Sequence, residues 1–266
     1  MHTPQRIACL TSEIAETLYL LGEEDRIVGI SGFTTRPPRA RREKPKVSGF
    51  SSAKIDNILA VQPDLVLGFS NLQGDIARDL IKAGVEVHIF NQRTIAGILR
   101  MIATLGAMVG AHEKAHALIA ELTAGLDAIR AAASTLPRRP KIYFEEWPDP
   151  MYSAIPWVME LIDIAGGENC FPEFIQAGSA KERKIEDSKE VIRRQPDIII
   201  GSWCGKKFQP EQVITRAGWD AIPAVRDEQV FEIKSPLILT PGPAALTEGV
   251  TQLQRIIGEW AKVKPR

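Results

Sequence analysis

The chain has 266 residues, 44% hydrophobic and 25% charged, and its 33 basic and 33 acidic residues cancel to a formal net charge of zero. This is ordinary globular composition, room for one large domain or two of ~130 residues each, and it offers no basic excess for nucleic acid. Three scattered cysteines, Cys9, Cys170 and Cys204, form neither a disulfide framework nor a zinc motif, and no segment approaches the ~18 apolar residues of a membrane span.

Residues 1–6 run directly into an apolar strand, Ile7-Ala8-Cys9-Leu10. That leaves no room for a secretory leader, so the chain either stays in the cytoplasm or has lost its leader. Strands are expected near 6–10, 26–30, 65–69 and 86–90, with helices near 12–21, 54–61 and 74–83 between them. From Thr94 to Ala133 the chain has no proline and is rich in Ala, Leu, Ile and Glu. An unbroken helix of that length would span ~60 Å, enough to bridge two lobes; the competing reading is two helices broken near Gly110-Ala111. Residues 134–140 end the helical stretch. Strands follow near 141–145, 197–202 and 229–233, with helices near 155–165, 188–195, 210–217 and 243–261. Asp187 and Glu190 fit a capping box for the helix at 188.

Gln62-Pro63-Asp64-Leu65-Val66-Leu67-Gly68 returns half a chain later as Gln195-Pro196-Asp197-Ile198-Ile199-Ile200-Gly201. In each copy Pro ends a short helix, because the residue before Pro avoids the α region, and Asp leads into a buried-strand run. A weaker echo pairs residues 18–25 with residues 161–169, each an apolar helix stopped at a Gly. Together they predict a duplicated α/β unit.

The ordered set of the opening Arg6-Ile7-Ala8-Cys9-Leu10-Thr11-Ser12-Glu13, the stretch from Lys54 to Gly68, Ala165-Gly166-Gly167-Glu168-Asn169, Gln195-Pro196-Asp197 and Trp219-Asp220-Ala221-Ile222-Pro223-Ala224-Val225 resembles the helical-linker (class III) periplasmic substrate-binding proteins of cobalamin and ferric-siderophore ABC importers. It is most similar to the cobalamin-binding members. The resemblance implies an α/β fold of two Rossmann-like lobes with mainly parallel sheets joined by a single long helix. The lobes would be 1–93 and 137–266, and the linker 94–136. It also implies a monomer without an intrinsic cofactor that captures a cobalamin-like corrinoid between its lobes and delivers it to an importer permease, in the periplasm. The alternatives are a ferric-siderophore or haem binder, and a cytoplasmic corrinoid carrier with no transporter.

In open α/β sheets ligands sit beyond the carboxyl ends of the strands. The loops there carry Phe33, Phe50, Phe69, Trp147 and Trp203, large rings suited to a flat, partly apolar ligand. Phe50 and Trp203 are the foremost candidates. Ser51 and Ser52 could bond ligand amides or simply cap the next helix. Cys204, beside Trp203, is a possible soft contact to a metal centre or a small buried residue. Lys234 stands among mixed loop charges that include Arg36, Arg93, Lys206, Lys207, Glu13, Glu145 and Glu146; a strongly anionic siderophore would prefer a clear basic excess. Trp157 and Trp219 read as packing residues. None of the four histidines falls in these loops, and His112 with His116 makes an incomplete metal site. By resemblance, Asp75 and Glu211, at the starts of helices after the two Pro-Asp strands, would dock to transporter arginines; complementing the helix dipole explains them equally well.

An enzyme needs a nucleophile, a base and an orienting group, and no motif supplies them. Glu145 and Glu146, adjacent on a strand, point to opposite faces and do not converge.

Overall fold

The computed structural model describes residues 3–263, so His2 lies outside the described residues. The chain divides into two compact units. The first runs to Leu122 and takes in Pro241–Pro243; the second spans Thr123–Thr240 and resumes at Ala244.

The first unit contains β1 (Ile7–Cys9), α1 (Ser12–Leu20), β2 (Ile27–Ser31), α2 (Ala40–Glu43), β3 (Lys46–Ser48), α3 (Ile55–Leu59), β4 (Leu65–Phe69), α4 (Gly74–Lys82), β5 (Val87–Phe90), α5 (Ile95–Val109) and the first half of α6 (His112–Ala133). Its sheet has the order β3-β2-β1-β4-β5, parallel throughout. β1 and β4 are buried along their whole length, as strands covered on both faces must be. The strand order reverses between β1 and β4, the position where ligand crevices form in open sheets. The expected strands correspond to β1, β2, β4 and β5. β3 was not expected: three residues after Pro45 on a sheet edge are too few to show a period.

The unbroken helix expected over 94–136 is two helices. Gly110 takes φ +75, and the amides of Gly110 and Ala111 return to Ala107 and Gly106 to close α5. Only a residue without Cβ enters that conformation freely. α5 buries Ile98, Met101, Ile102, Leu105 and Val109, an i, i+3, i+4, i+7 stripe. The boundary between the units falls inside α6, a helix of 22 residues and about 33 Å.

The second unit contains β6 (Lys141–Pro148), β7 (Met151–Ser153), α7 (Pro156–Ile164), β8 (Glu168–Asn169), α8 (Lys189–Arg194), β9 (Ile198–Gly201), α9 (Pro210–Ile214), α10 (Pro223–Arg226), β10 (Val230–Glu232), α11 (Ser235–Ile238) and α12 (Val250–Lys262). The sheet order is β10-β9-β6-β7, with β8 also on β6. All pairs are parallel except the β6–β7 hairpin. α12 is preceded by a π turn at Ala245–Gly249. Trp157 and Trp219 are core residues, as read from sequence. The capping box does not form: the N-cap of α8 is Ser188, which makes no side-chain cap bond, the Asp187 carboxylate accepts the Lys189 amide from one residue further out, and Glu190 turns to Arg193 and Arg194.

The duplicated motif has one geometry in both units. Gln62 (φ 46) and Gln195 (φ 49) both hold left-handed backbone, which turns the chain from helix to strand. The Asp64 carboxylate then accepts the amides of Gln5 and Arg6 at 2.7 and 3.0 Å, and Asp197 accepts the Lys141 amide at 2.8 Å. Each aspartate therefore fixes the start of its sheet's central strand, β1 or β6. The weaker echo also holds: Gly22 (φ +67) and Gly166 (φ +90) end α1 and α7, and the next amides, of Glu23 and Gly167, return to Leu18 and Ile162.

Pro241–Pro243 packs into the first unit. Gln92 donates to the Pro241 carbonyl at 3.0 Å. A Cβ on Gly242 would stand 2.4 Å from that of Glu13, so the strap fits only as glycine.

Candidate ligand-contact loops

In the first unit the loops after β1, β3 and β4 share one brace, Gln73. Fully buried, it donates to the carbonyls of Phe50 (2.7 Å) and Leu10 (3.2 Å) and accepts the Phe69 amide (2.9 Å). Ser70, at φ +67 and ψ 167, starts the turn that delivers it, with its hydroxyl accepting the Leu72 amide. Backbone strain of this kind is held only where the surroundings fix it. Gln73 was not singled out from sequence; the one signal was polar Ser70-Asn71 closing an all-apolar strand.

Phe33 is 62% exposed and Phe50 half-buried. A Cβ on Gly49 would lie 3.8 Å from the Phe33 ring, so the Phe33 and Phe50 loops lie together. Ser51 is exposed. Phe69 is a correction: it is 5% exposed and covered by the Arg93 guanidinium 5.0 Å from its ring. As the last residue of a central strand it points into the unit. Glu13, at the start of α1, is buried with Thr11 donating to it at 2.8 Å. Burial pushes its carboxyl up to about 7, against smaller downward pulls from its backbone and Thr11 hydrogen bonds.

In the second unit Trp203 is the larger correction. It is 1% exposed, packs edge-on to Phe208, and donates its indole N–H to Glu145 at 3.0 Å. The side chain alternates inward after β9, so it belongs to the core. Glu145 is fully buried and also takes Tyr143 (2.9 Å) and both arms of Arg216 (2.5 and 3.0 Å). Glu146 pairs separately with Arg183 at 2.5 Å. The two carboxylates thus diverge, each neutralised by its own arginine, as strand geometry requires.

Trp147 is half-buried, its N–H held by the Asp149 carbonyl. The loop after β9 stays zipped to β6 through Ser202 N–H to Glu145 O and Cys204 N–H to Glu146 O. It then turns at Gly205 (φ +69), closed by the Lys206 amide on Trp203 O. The Lys206 ammonium comes to 5.8 Å from the Trp147 ring and 5.2 Å from the Trp203 ring. Cys204 is exposed, and crowding by the protein followed by the Glu146 charge raises its thiol pKa, which disfavours the thiolate a metal would need. Lys234 pairs with Glu232. Asp75 and Glu211 sit exposed in the first turns of α4 and α9, Asp75 joined to Arg78 at 2.8 Å.

Among the described residues no three His, Cys, Asp or Glu side chains gather to hold a metal, and no helix is long and apolar enough to cross a membrane.

The family model for periplasmic binding proteins matches residues 7–237. An uncharacterized ABC transporter substrate-binding lipoprotein of Bacillus subtilis, YvrC, is 25% identical over 263 residues, covering 96% of this chain and 80% of its own. A vitamin B12-binding protein of Vibrio campbellii is 28% identical over 242 residues, covering 89% and 84%. Among solved structures, the periplasmic heme-binding protein RhuT of Roseiflexus sp. RS-1 superposes with a TM-score of 0.83 at 23% identity, covering 97% of this chain and 99% of its own. Each of these matches is named for binding, and the Bacillus subtilis relative for service to an ABC transporter.

Proposed function

As the chain belongs to the periplasmic binding protein family, we propose that it captures a cobalamin-like corrinoid and presents it to an ABC importer. The observation that carries this reading is the likeness over most of the chain to vitamin B12-binding proteins. The accessible rings support it: Phe33 and Phe50 in loops and Trp147 near the end of β6 keep ring surface accessible at the carboxyl ends of the two sheets, and flat apolar area is what a corrin offers in return. Ser51 would bond the peripheral amides. Trp203 and Phe69 would act from behind, fixing the loops rather than touching ligand. In this reading the chain works as a monomer on the outer side of the cell membrane, and Asp75 and Glu211 meet basic residues of the permease, setting on-rate and register.

Isothermal titration with cyanocobalamin, dicyanocobinamide, haem and a ferric hydroxamate tests the ligand. Micromolar or tighter binding of the corrinoids, with quenching of Trp147 fluorescence, is expected. Haem or hydroxamate binding without corrinoid binding would transfer the function to that chelate, and binding of none would end the reading.

A further inference from the structure

We propose that Lys206 forms an oxyanion-reading subsite of the ligand loops, an inference that rests on chelate capture as the function. Three observations meet at this residue. First, its ammonium stands over two indoles, of Trp147 and Trp203, an arrangement that favours this position of a flexible four-carbon side chain through cation–π attraction. Second, among the described residues no carboxylate lies within 4.0 Å of it; neighbouring Lys234, by contrast, is spent on Glu232, and Arg216 on Glu145. Third, its seat is built rather than incidental. Trp203 is locked by Glu145, Trp147 by the Asp149 carbonyl, and Gly205 in left-handed backbone folds the loop so that residue 206 returns over the rings.

A cation with no carboxylate partner, beside a half-buried indole at the carboxyl end of β6, suits a ligand with a flat apolar body and an oxyanion at its edge. The ring lies against Trp147 and the oxyanion pairs with the ammonium. Two chemistries supply that pattern: the phosphodiester of a corrinoid's nucleotide loop, and the carboxylates of a porphyrin. The ion pair adds to ring contact and so separates ligands that share a macrocycle but differ in edge charge.

The test compares wild type, Lys206→Gln and Lys206→Arg by titration with two matched pairs: cyanocobalamin against dicyanocobinamide, which lacks the phosphodiester, and haem against its dimethyl ester. Lys206→Gln is expected to weaken the oxyanion-bearing member about tenfold and the other less than about twofold, with Lys206→Arg close to wild type. Selectivity in the corrinoid pair identifies the phosphodiester; selectivity in the porphyrin pair identifies the carboxylate. Thermal unfolding of the variants checks that the fold is kept. Wild-type binding that Lys206→Gln leaves unchanged, or weakens equally within each pair, overturns the subsite while chelate capture stands. Wild-type preference for the member without the oxyanion overturns it too. If wild type binds none of the four, the function reading falls and takes the subsite with it.

Discussion

Glu13 shows what one buried carboxyl does to the whole stability curve. Its pKa is raised to about 7 by burial, while in the unfolded chain it titrates near 4.5. Between those values the folded state holds the extra proton, so stability falls as pH rises. The group's full contribution is present below about pH 4.5 and lost as pH passes 7. Glu13→Gln is therefore expected to flatten this part of the profile and to gain on the order of 2–3 kcal/mol at pH 8; urea unfolding from pH 5 to 8 measures it, and an unchanged slope would show that Glu13 is not the titrating group. The cysteines make a second case. Burial pushes the Cys170 thiol up to about 12 and Cys9 further still, while Cys204 alone is exposed. A disulfide reagent at pH 8 should label one thiol in the native protein, slowly, and Cys204→Ser should abolish that labelling.

At the scale of elements, the Glu145 network joins β6, the loop after β9 and the segment after α9. Arg216→Ala would leave a fully buried carboxylate without its cation and is expected to cost about 3–5 kcal/mol. Glu145→Gln in the same background should recover part of the loss, because the stranded charge carries the cost. A change below about 1 kcal/mol in chemical unfolding would mean that water replaces the guanidinium. Nothing in the sequence pointed to this network, in which Glu145 bonds a residue 71 positions away. What the sequence does show is local. The two Gln-Pro-Asp motifs announce themselves because proline, a left-handed glutamine and a strand-clamping aspartate must be neighbours in the chain. β1, β4, β6 and β9 are legible because burial on both faces demands unbroken apolar runs. The break at Gly110 was visible as an alternative and resolved only by the φ of that residue. Trp203 misled for the opposite reason: a Gly/Ser-rich loop after a strand looks exposed, but the direction of one side chain is decided by Glu145 and Phe208 packing against it. Phe69 misled in the same way. Trp147 and Lys206 gain their relation only through the turn at Gly205, which fixes a residue from one strand end over a ring from another.

For the whole molecule, the proposed delivery to an importer turns the surface charge of this periplasmic binding protein family member into a question of docking. Asp75→Lys combined with Glu211→Lys should leave ligand titration unchanged and abolish uptake in a reconstituted importer, since rim charges govern encounter and register rather than the fold. Undiminished uptake would remove these two residues from the interface, and a chain that binds ligand but is ignored by any importer would fit a free carrier.

The strap at Pro241–Pro243 has a consequence for biosynthesis. The ribosome has finished everything up to Leu122 long before it reaches Gly242, yet in the first unit the Glu13 side chain packs against Gly242 and the Gln92 side-chain N–H donates to Pro241. A nascent or truncated N-terminal half thus lacks the segment that packs against Glu13 and accepts from Gln92, and these last native contacts wait for nearly the entire polypeptide to emerge.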